Sequence, residues 1–147
     1  MTGFPPKLAG EAIFGCSDGL MSILGPVMFT ASRYPHLVFP VALMGAVSAS
    51  ASMAAGQRMS EDRQSAWAPV VMGAATFTGS VLPAIPFLFT RGVPAICCAA
   101  AVCVTVALGV GRLRSWRKHR YLETLAILAL VAGVTVVCNL LLPGGAS

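Results

Sequence analysis

The chain has 147 residues, of which 56% are hydrophobic and only 10% are charged, and its mean hydropathy is +0.80. Soluble domains carry about 25% charged residues, so this composition excludes an ordinary soluble domain and predicts an integral membrane protein. A spanning helix needs about 20 apolar residues, so five spans would use about 100 positions and leave only short connectors. The net charge of +5 does not indicate a nucleic-acid partner, because five of the ten basic residues lie between positions 112 and 120, beside apolar segments.

The cysteines and the N-terminal segment narrow the class further. The five cysteines all fall in apolar runs, without a CxxC pair or a nearby histidine, so neither a disulfide framework nor a zinc site is predicted. The first apolar stretch follows a single basic residue, Lys7, and contains Asp18. We therefore expect it to be a true span and not a cleaved signal peptide.

Hydropathy and chain breakers define the first two predicted spans. The first covers about residues 8–30, is interrupted by two acidic residues and a proline, and ends in a polar turn at 32–36. The second covers about residues 37–56 and is closed by the polar string 57–64. The second span is rich in glycine, alanine and serine, which permit close helix approach, either within the chain or against another subunit.

Three further spans complete the prediction. The third covers about residues 66–89 and contains Pro83 and Pro86, which should kink it. The fourth covers about residues 93–110 and the fifth about residues 122–142. All must be helical, because an open strand in lipid would leave its backbone groups unpaired. The sequence thus predicts an all-α protein with one transmembrane domain over residues 1–147.

The distribution of basic residues predicts the orientation. Arg33 and Arg91 fall in connectors on one side, and the other eight basic residues fall on the opposite side. Because cytoplasmic connectors are enriched in lysine and arginine, we expect a cytoplasmic N-terminus and a C-terminus outside. The expected location is the plasma (inner) membrane of a prokaryote, with the lipid bilayer as the surrounding partner.

Two carboxylates in the first predicted span are the leading candidate site residues. Asp18 lies near the middle of the span, where an ionised side chain costs about 2.5 to 3.5 kcal/mol. Glu11 precedes it by seven residues, which places the two about 20° apart on one helix face and about 10 Å apart in depth. Intramembrane carboxylates usually mark a path for cations or protons. The structural alternative is that Glu11 is interfacial, while Asp18 caps a broken helix or bonds a neighbouring backbone.

Met53 and Gln57 are candidates in the second span. They are four residues apart, hence on one face, at about the depth of Glu11 if the first two helices are antiparallel. A thioether beside carboxylates suits a transition metal better than magnesium or calcium. Methionine is also a common core filler, and this alternative applies to Met53 and more strongly to Met21, which lies near Asp18.

These residues resemble the motifs of one known family. The segment Glu11-Ala-Ile-Phe-Gly-Cys-Ser-Asp18-Gly-Leu-Met-Ser22 resembles the first-helix pattern FGxNDGLVS of the vacuolar iron transporter family. Ser52-Met53-Ala-Ala-Gly56 resembles that family's SMAxGE motif, and Leu82-Pro83-Ala-Ile-Pro86 resembles its third-helix proline pair. The resemblance extends in order over about residues 8–142.

The resemblance implies a homodimer that exports iron(II), or manganese(II), from the cytoplasm in exchange for protons. The pathway would lie between the first helices of the two protomers. Asp18 would be the mid-membrane ligand, Met53 a sulphur ligand and Glu11 an entrance carboxylate. Met21 and Gln57 are secondary candidates. The metal is the transported substrate, and no cofactor is expected.

Two departures from the family pattern leave an alternative open. The long metal-binding module that many members insert between the second and third helices is replaced by residues 58–65, and Gln57 stands where the motif has glutamate. An amide keeps an acceptor oxygen but has neither charge nor a titrating proton. The alternative function is therefore a non-transporting scaffold or accessory subunit of a larger membrane complex. No nucleophile elbow, phosphate loop or zinc-hydrolase motif occurs in the sequence, so we do not expect an enzyme.

Overall fold

A computed structural model describes residues 6–60 and 66–113 of the chain, with single positions between 126 and 137. Within these residues every regular element is helical, as the all-α prediction requires. The elements are α1 (Pro6–Arg33), α2 (Val38–Ser60), α3 (Ala68–Val81), α4 (Pro86–Phe89) and α5 (Val93–Leu113), with 3-10 turns at Pro35–Leu37 and Leu82–Ala84.

Three helical stretches are long and apolar enough to cross a membrane, which agrees with the first three predicted spans. They are Leu8–Arg33, Pro35–Ser60 and Ala68–Phe89. The fourth predicted span forms α5, whose apolar part, Val93–Gly109, is shorter. The fifth predicted span, residues 122–142, lies outside the described residues apart from single helical positions. The number of five spans and their orientation therefore stay predictions.

The first connection begins later than the sequence suggests. α1 continues through Pro26 to Arg33, and the chain turns only at Tyr34, whose φ of −135° and ψ of 67° are not helical. A residue before proline is disfavoured in the helical region, so Pro35 explains this end point. Pro26 is tolerated inside α1, where the Thr30 hydroxyl donates a 2.7 Å hydrogen bond to its carbonyl oxygen.

The third stretch is interrupted at its two prolines, as predicted. α3 ends at Val81, a 3-10 turn covers Leu82–Ala84, and α4 resumes at Pro86. Proline offers no backbone N–H, so continuous α-helical hydrogen bonding cannot pass through this segment. The chain then turns at Gly92, whose φ of 72° lies in the left-handed region, and enters α5.

Small residues determine how the helices pack. Gly15 lies against Met72 and Gly19 against Ser80, so α1 and α3 are parallel and in very close contact. Gly45 of α2 lies against Ile23, whereas Ser50 and Ala54 lie against Gly73, next to the Met72 that contacts Gly15, so α2 runs antiparallel to α1. The small residues of α2 are divided between two environments: Ser50 and Ala54 contact Gly73 within the chain, whereas another set is exposed, namely Ser48, Ala51, Ser52, Ala55 and Gly56.

Helix α5 packs against the half of the bundle that contains the C-terminal part of α1. Its alanines pack into an apolar core with α1, α2 and the proline segment, comprising Ile23, Val27, Ala31, Val38, Ala42, Ala84, Phe87, Ala95 and Ala99. An apolar cavity of about 200 Å³ separates α1, the proline segment and α5. The alternating helix directions place positions 7, 58 and 112 at one end of the bundle and Arg33 and Arg91 at the other. This grouping is the one that the orientation prediction assumes.

Candidate functional site

Asp18 lies at the edge of the α1 face that the rest of the described bundle leaves uncovered. Its side chain is half-buried, whereas Phe14 on the same face is 55% exposed and Ser22 is also exposed. On the opposite side of α1, Leu20 and Ile23 are only 2% and 3% exposed. The carboxylate therefore lies outside the apolar core and borders the face of α1 that the described residues leave uncovered.

Two glycines beside Asp18 bring α1 and α3 into contact. A Cβ atom at Gly15 would lie 2.5 Å from the carbonyl oxygen of Met72, and one at Gly19 would overlap the carbonyl oxygen of Thr76. From the other helix, a Cβ atom at Gly79 would overlap the carbonyl oxygen of Cys16. Separations this short leave no room for side chains, so α1 cannot rotate about its axis without clashing with α3.

A buried hydroxyl reinforces this contact. Ser80 is 1% exposed and donates a 3.0 Å hydrogen bond from its Oγ atom to the carbonyl oxygen of Gly19. Thr76 is fully buried, and its hydroxyl donates a 2.9 Å hydrogen bond to the carbonyl oxygen of Met72. The glycines and Ser80 thus fix the rotational position of α1, and with it the direction in which Asp18 projects.

Glu11 lies on the same face of α1 as Asp18. Because α1 is an unbroken helix over Pro6–Arg33, the seven-residue separation keeps the two residues within about 20° of each other and about 10 Å apart along the axis. Glu11 is half-buried, like Asp18. The structure thus places the two predicted carboxylates in one line that leads from the end of the helix to its middle.

Met53 and Gln57 lie on the inward face of α2. Both are half-buried, and they share this face with Ala42 and Ala46, which are fully buried. With Gly45 opposite Ile23, the antiparallel arrangement places Met53 at about the depth of the residues between Glu11 and Asp18. The two helices therefore bring the predicted oxygen and sulphur donors to similar depths, on different faces of the bundle.

One copy of the chain does not gather a complete metal site within the part that the structure describes. No group of three or more histidine, cysteine, aspartate or glutamate side chains there could hold a metal ion. Met21 is half-buried beside Asp18 and would add only a thioether. The carboxylates that one copy offers on α1 are Asp18 and Glu11.

A basic residue on α1 has a partner that the sequence patterns did not reveal. The guanidinium carbon of Arg33 lies 4.4 Å from the centroid of the Phe29 ring. Phe29 is eleven residues beyond Asp18, so helical geometry places it within about 20° of the same face. In the sequence patterns Arg33 contributed only its charge, to the predicted orientation. The i, i+4 spacing of Phe29 and Arg33 could have indicated this contact.

Comparisons with family models, with curated proteins and with solved structures give no match. The likeness of the helix motifs to the vacuolar iron transporter family remains a resemblance of short segments, and the function that it implies is a proposal.

Proposed function

We propose that the chain is a secondary transporter that exports divalent transition metal ions, iron(II) or manganese(II), from the cytoplasm in exchange for protons. The observation that carries this proposal is the position of Asp18. It borders the uncovered face of a helix long and apolar enough to span a membrane, while its neighbours Gly15 and Gly19 lock that helix to α3. Among the described residues, this carboxylate lies outside the apolar core.

The chemistry of the two carboxylates suits antiport. An ionised aspartate at mid-membrane is costly, and either a bound cation or a proton would offset its charge. Metal and proton therefore compete for the same oxygens. If a second copy brings its own pair close, repulsion between like charges favours protonation once the metal has left, and this couples metal release to proton uptake.

A homodimer would complete the site. We propose that two copies face each other through the uncovered faces of α1, so that two Asp18 and two Glu11 line one pathway. The incomplete ligand set of a single copy within the described residues supports this arrangement. Phe14 and Ser22, which flank Asp18 on the exposed face, would lie in the contact. Met53 lies at a similar depth but on the inward face of α2, so it would add its sulphur, which favours transition metals over magnesium, only where the pathway also reaches α2.

The proposed topology has five spans, a cytoplasmic N-terminus and a C-terminus outside, in the plasma membrane of a prokaryote. Three span-length helices and the clustering of positions 7, 58 and 112 at one bundle end support it. With this orientation Glu11 lies toward the cytoplasm and Arg33 toward the outside, so the carboxylates form a path that begins at the cytoplasmic mouth.

Flux in inverted vesicles tests the function. Vesicles that contain the protein and have an acidic lumen should accumulate radioactive iron(II) or manganese(II), and uptake should stop when the proton gradient is collapsed. Asp18→Asn should abolish this uptake without loss of folded protein, because it removes a charge but keeps the side-chain size. Thr105→Ala, which changes an exposed hydroxyl on α5, is the matched control and should transport normally.

A scaffold is the second candidate function. It is favoured by Gln57, which replaces a titrating carboxylate, and by the exposed small residues of α2, which could pack against another membrane subunit. A folded parent protein that shows no gradient-dependent flux for either metal would reject the transporter and favour the scaffold.

A further inference from the structure

Helix α1 carries both carboxylates. Among the described residues, Arg33 is the one basic residue at the end of this helix opposite Glu11. Glu11 and Phe29 are eighteen residues apart, which is five full helical turns, so they project in the same direction. Asp18 lies between them, within about 20° of that direction. Along this face, the two acidic residues lie in the first half of α1 and the cation lies at its C-terminal end.

The contact with Phe29 holds the positive charge over this face. Side chains on a helix lean toward its N-terminus, so Arg33 leans back along α1 toward Phe29 and Asp18. The guanidinium lies 4.4 Å from the ring centroid, and Arg33 is half-buried. Phe29 itself is about 16 Å beyond Asp18 along the axis, so the charge stands between Asp18 and the end of the helix.

Arginine in the last turn of a helix interacts favourably with the helix dipole, but that interaction needs no aromatic partner on the acidic face. Basic residues are also depleted on the outer side of membrane proteins, the side on which the proposed orientation places Arg33. Arg91, also at this end, lies between α4 and α5 and is exposed.

We propose that Arg33 lowers the affinity of the outward-facing pathway for divalent cations, so that the site binds metal more weakly from outside than from the cytoplasm. This inference rests on the proposed transport function and adds to it a residue that sets the difference in affinity between the two sides. A fixed positive charge near the outer mouth repels an ion that has a double charge, which hastens its release and slows its return. Glu11 at the other mouth attracts the same ion.

The effect is measured as the metal concentration that gives half-maximal flux on each side. Right-side-out vesicles report binding from the outside, and inverted vesicles report binding from the cytoplasmic side. At the roughly 16 Å that separates Phe29 from Asp18 along the axis, repulsion in water between one charge and a divalent ion corresponds to about a two-fold change in binding. Arg33→Gln should therefore lower the outer half-saturation concentration about two-fold at low ionic strength and leave the inner value unchanged.

Two further variants separate charge from structure. Arg33→Lys keeps the charge and should retain the outer value of the parent, whereas Phe29→Leu removes the ring that holds the guanidinium and should give an intermediate value. Arg91→Gln removes an exposed charge at the same bundle end, from the segment between α4 and α5, and it should match the parent. The difference between the outer values of the parent and Arg33→Gln should shrink as the salt concentration rises, since salt screens exposed charges beyond about 8 Å.

The outcomes are distinct. A parent without flux on either side would reject the transport function and this inference with it. A parent with normal flux, in which Arg33→Gln leaves the outer value unchanged or Arg33→Lys behaves like Arg33→Gln, would reject only the role of Arg33. Should Arg33→Gln fail to fold, Phe29→Leu still decides the matter, because a folded Phe29→Leu protein with the outer value of the parent contradicts the role of Arg33.

Discussion

The hydroxyl of Ser80 donates a 3.0 Å hydrogen bond to the carbonyl oxygen of Gly19, which joins two residues 61 positions apart in the sequence. Gly19 directly follows Asp18 in α1, so this bond ties α3 to the backbone beside the candidate ligand. Ser80 is buried, and no water is needed to satisfy its hydroxyl. The helix contact and the candidate site are therefore one structural unit, and changes to the contact should be visible in both stability and flux.

Gly19→Ala should destabilise the protein by about 1 to 3 kcal/mol, because the new Cβ atom would overlap the backbone oxygen of Thr76, which cannot move aside as a side chain would. Thermal unfolding in detergent measures the loss. Gly10→Ala is the control in the same helix: nothing lies within 4 Å of a Cβ atom there. It should stabilise α1 by about 0.5 to 1 kcal/mol. Equal melting temperatures for the two variants would contradict the close contact.

Ser80→Ala should lower the free energy of unfolding by about 0.6 to 1.5 kcal/mol, the range found for hydrogen bonds between membrane helices and in proteins generally. Thr78→Ala on the same helix is the control, since Thr78 is exposed and its hydroxyl bonds only to Ala74 of its own helix. Melting temperature and half-saturation concentration are measured together. A Ser80→Ala protein as stable as Thr78→Ala would show that the bond adds nothing to the helix contact.

Met53→Leu and Gln57→Glu should change metal handling in opposite directions. Met53→Leu conserves volume but removes the sulphur, so competition by magnesium for iron(II) or manganese(II) flux should increase. Gln57→Glu adds a titrating carboxylate near the depth of Glu11, so apparent affinity should rise or the pH dependence should steepen. Met44→Leu, on the exposed face of α2, is the control and should leave flux unchanged. If both variants match this control, neither residue belongs to the pathway.

The proposed dimer predicts which positions of α1 cross-link. In a cysteine-free background, Phe14→Cys and Ser22→Cys should form disulfide-linked dimers in the membrane, because both positions are on the exposed face. Leu20→Cys and Ile23→Cys should not, since these side chains are 2% and 3% exposed and face the core of their own chain. Cross-links at the buried pair, or at none of the four, would contradict an interface through this face.

Labelling with a membrane-impermeant maleimide tests the orientation. In the same cysteine-free background, Arg91→Cys should react in intact cells, and Ser60→Cys should react only after the membrane is opened. Both residues are exposed, so burial does not limit the reaction. The opposite labelling pattern would place Glu11 outside and reverse the direction of transport. A reporter fused after Ser147, active only outside the cytoplasm, should be active by the same topology.

The sequence predicted the helices well because its strongest signal is hydropathy, and long apolar segments in lipid have few alternatives to a helix. It also predicted the break at Pro83 and Pro86, which follows from the missing backbone N–H. The ends of α1 and α2 were less predictable. Charged and polar residues such as Arg33 and Arg58 continue a helix readily, and the actual end of α1 depends on Pro35.

The site could be predicted only in part. The spacing of Glu11 and Asp18 was enough to place them on one face, because α1 is continuous. The role of Gly15 and Gly19 was not recognised, although their four-residue spacing is typical of close helix contacts. Ser80 could not have been found, because its partner is determined by the register between two helices that are distant in the chain.

The proline within α1 gives the uncovered face one more property. Pro26 has no amide hydrogen, so it cannot close the helical hydrogen bond to the carbonyl of Ser22, four residues earlier. That carbonyl is one turn beyond Asp18. Its oxygen carries a partial negative charge that protonation does not remove at any physiological pH, unlike the charge of a carboxylate. In the proposed pathway, an ion leaving a protonated Asp18 would therefore pass an oxygen dipole on its way outward.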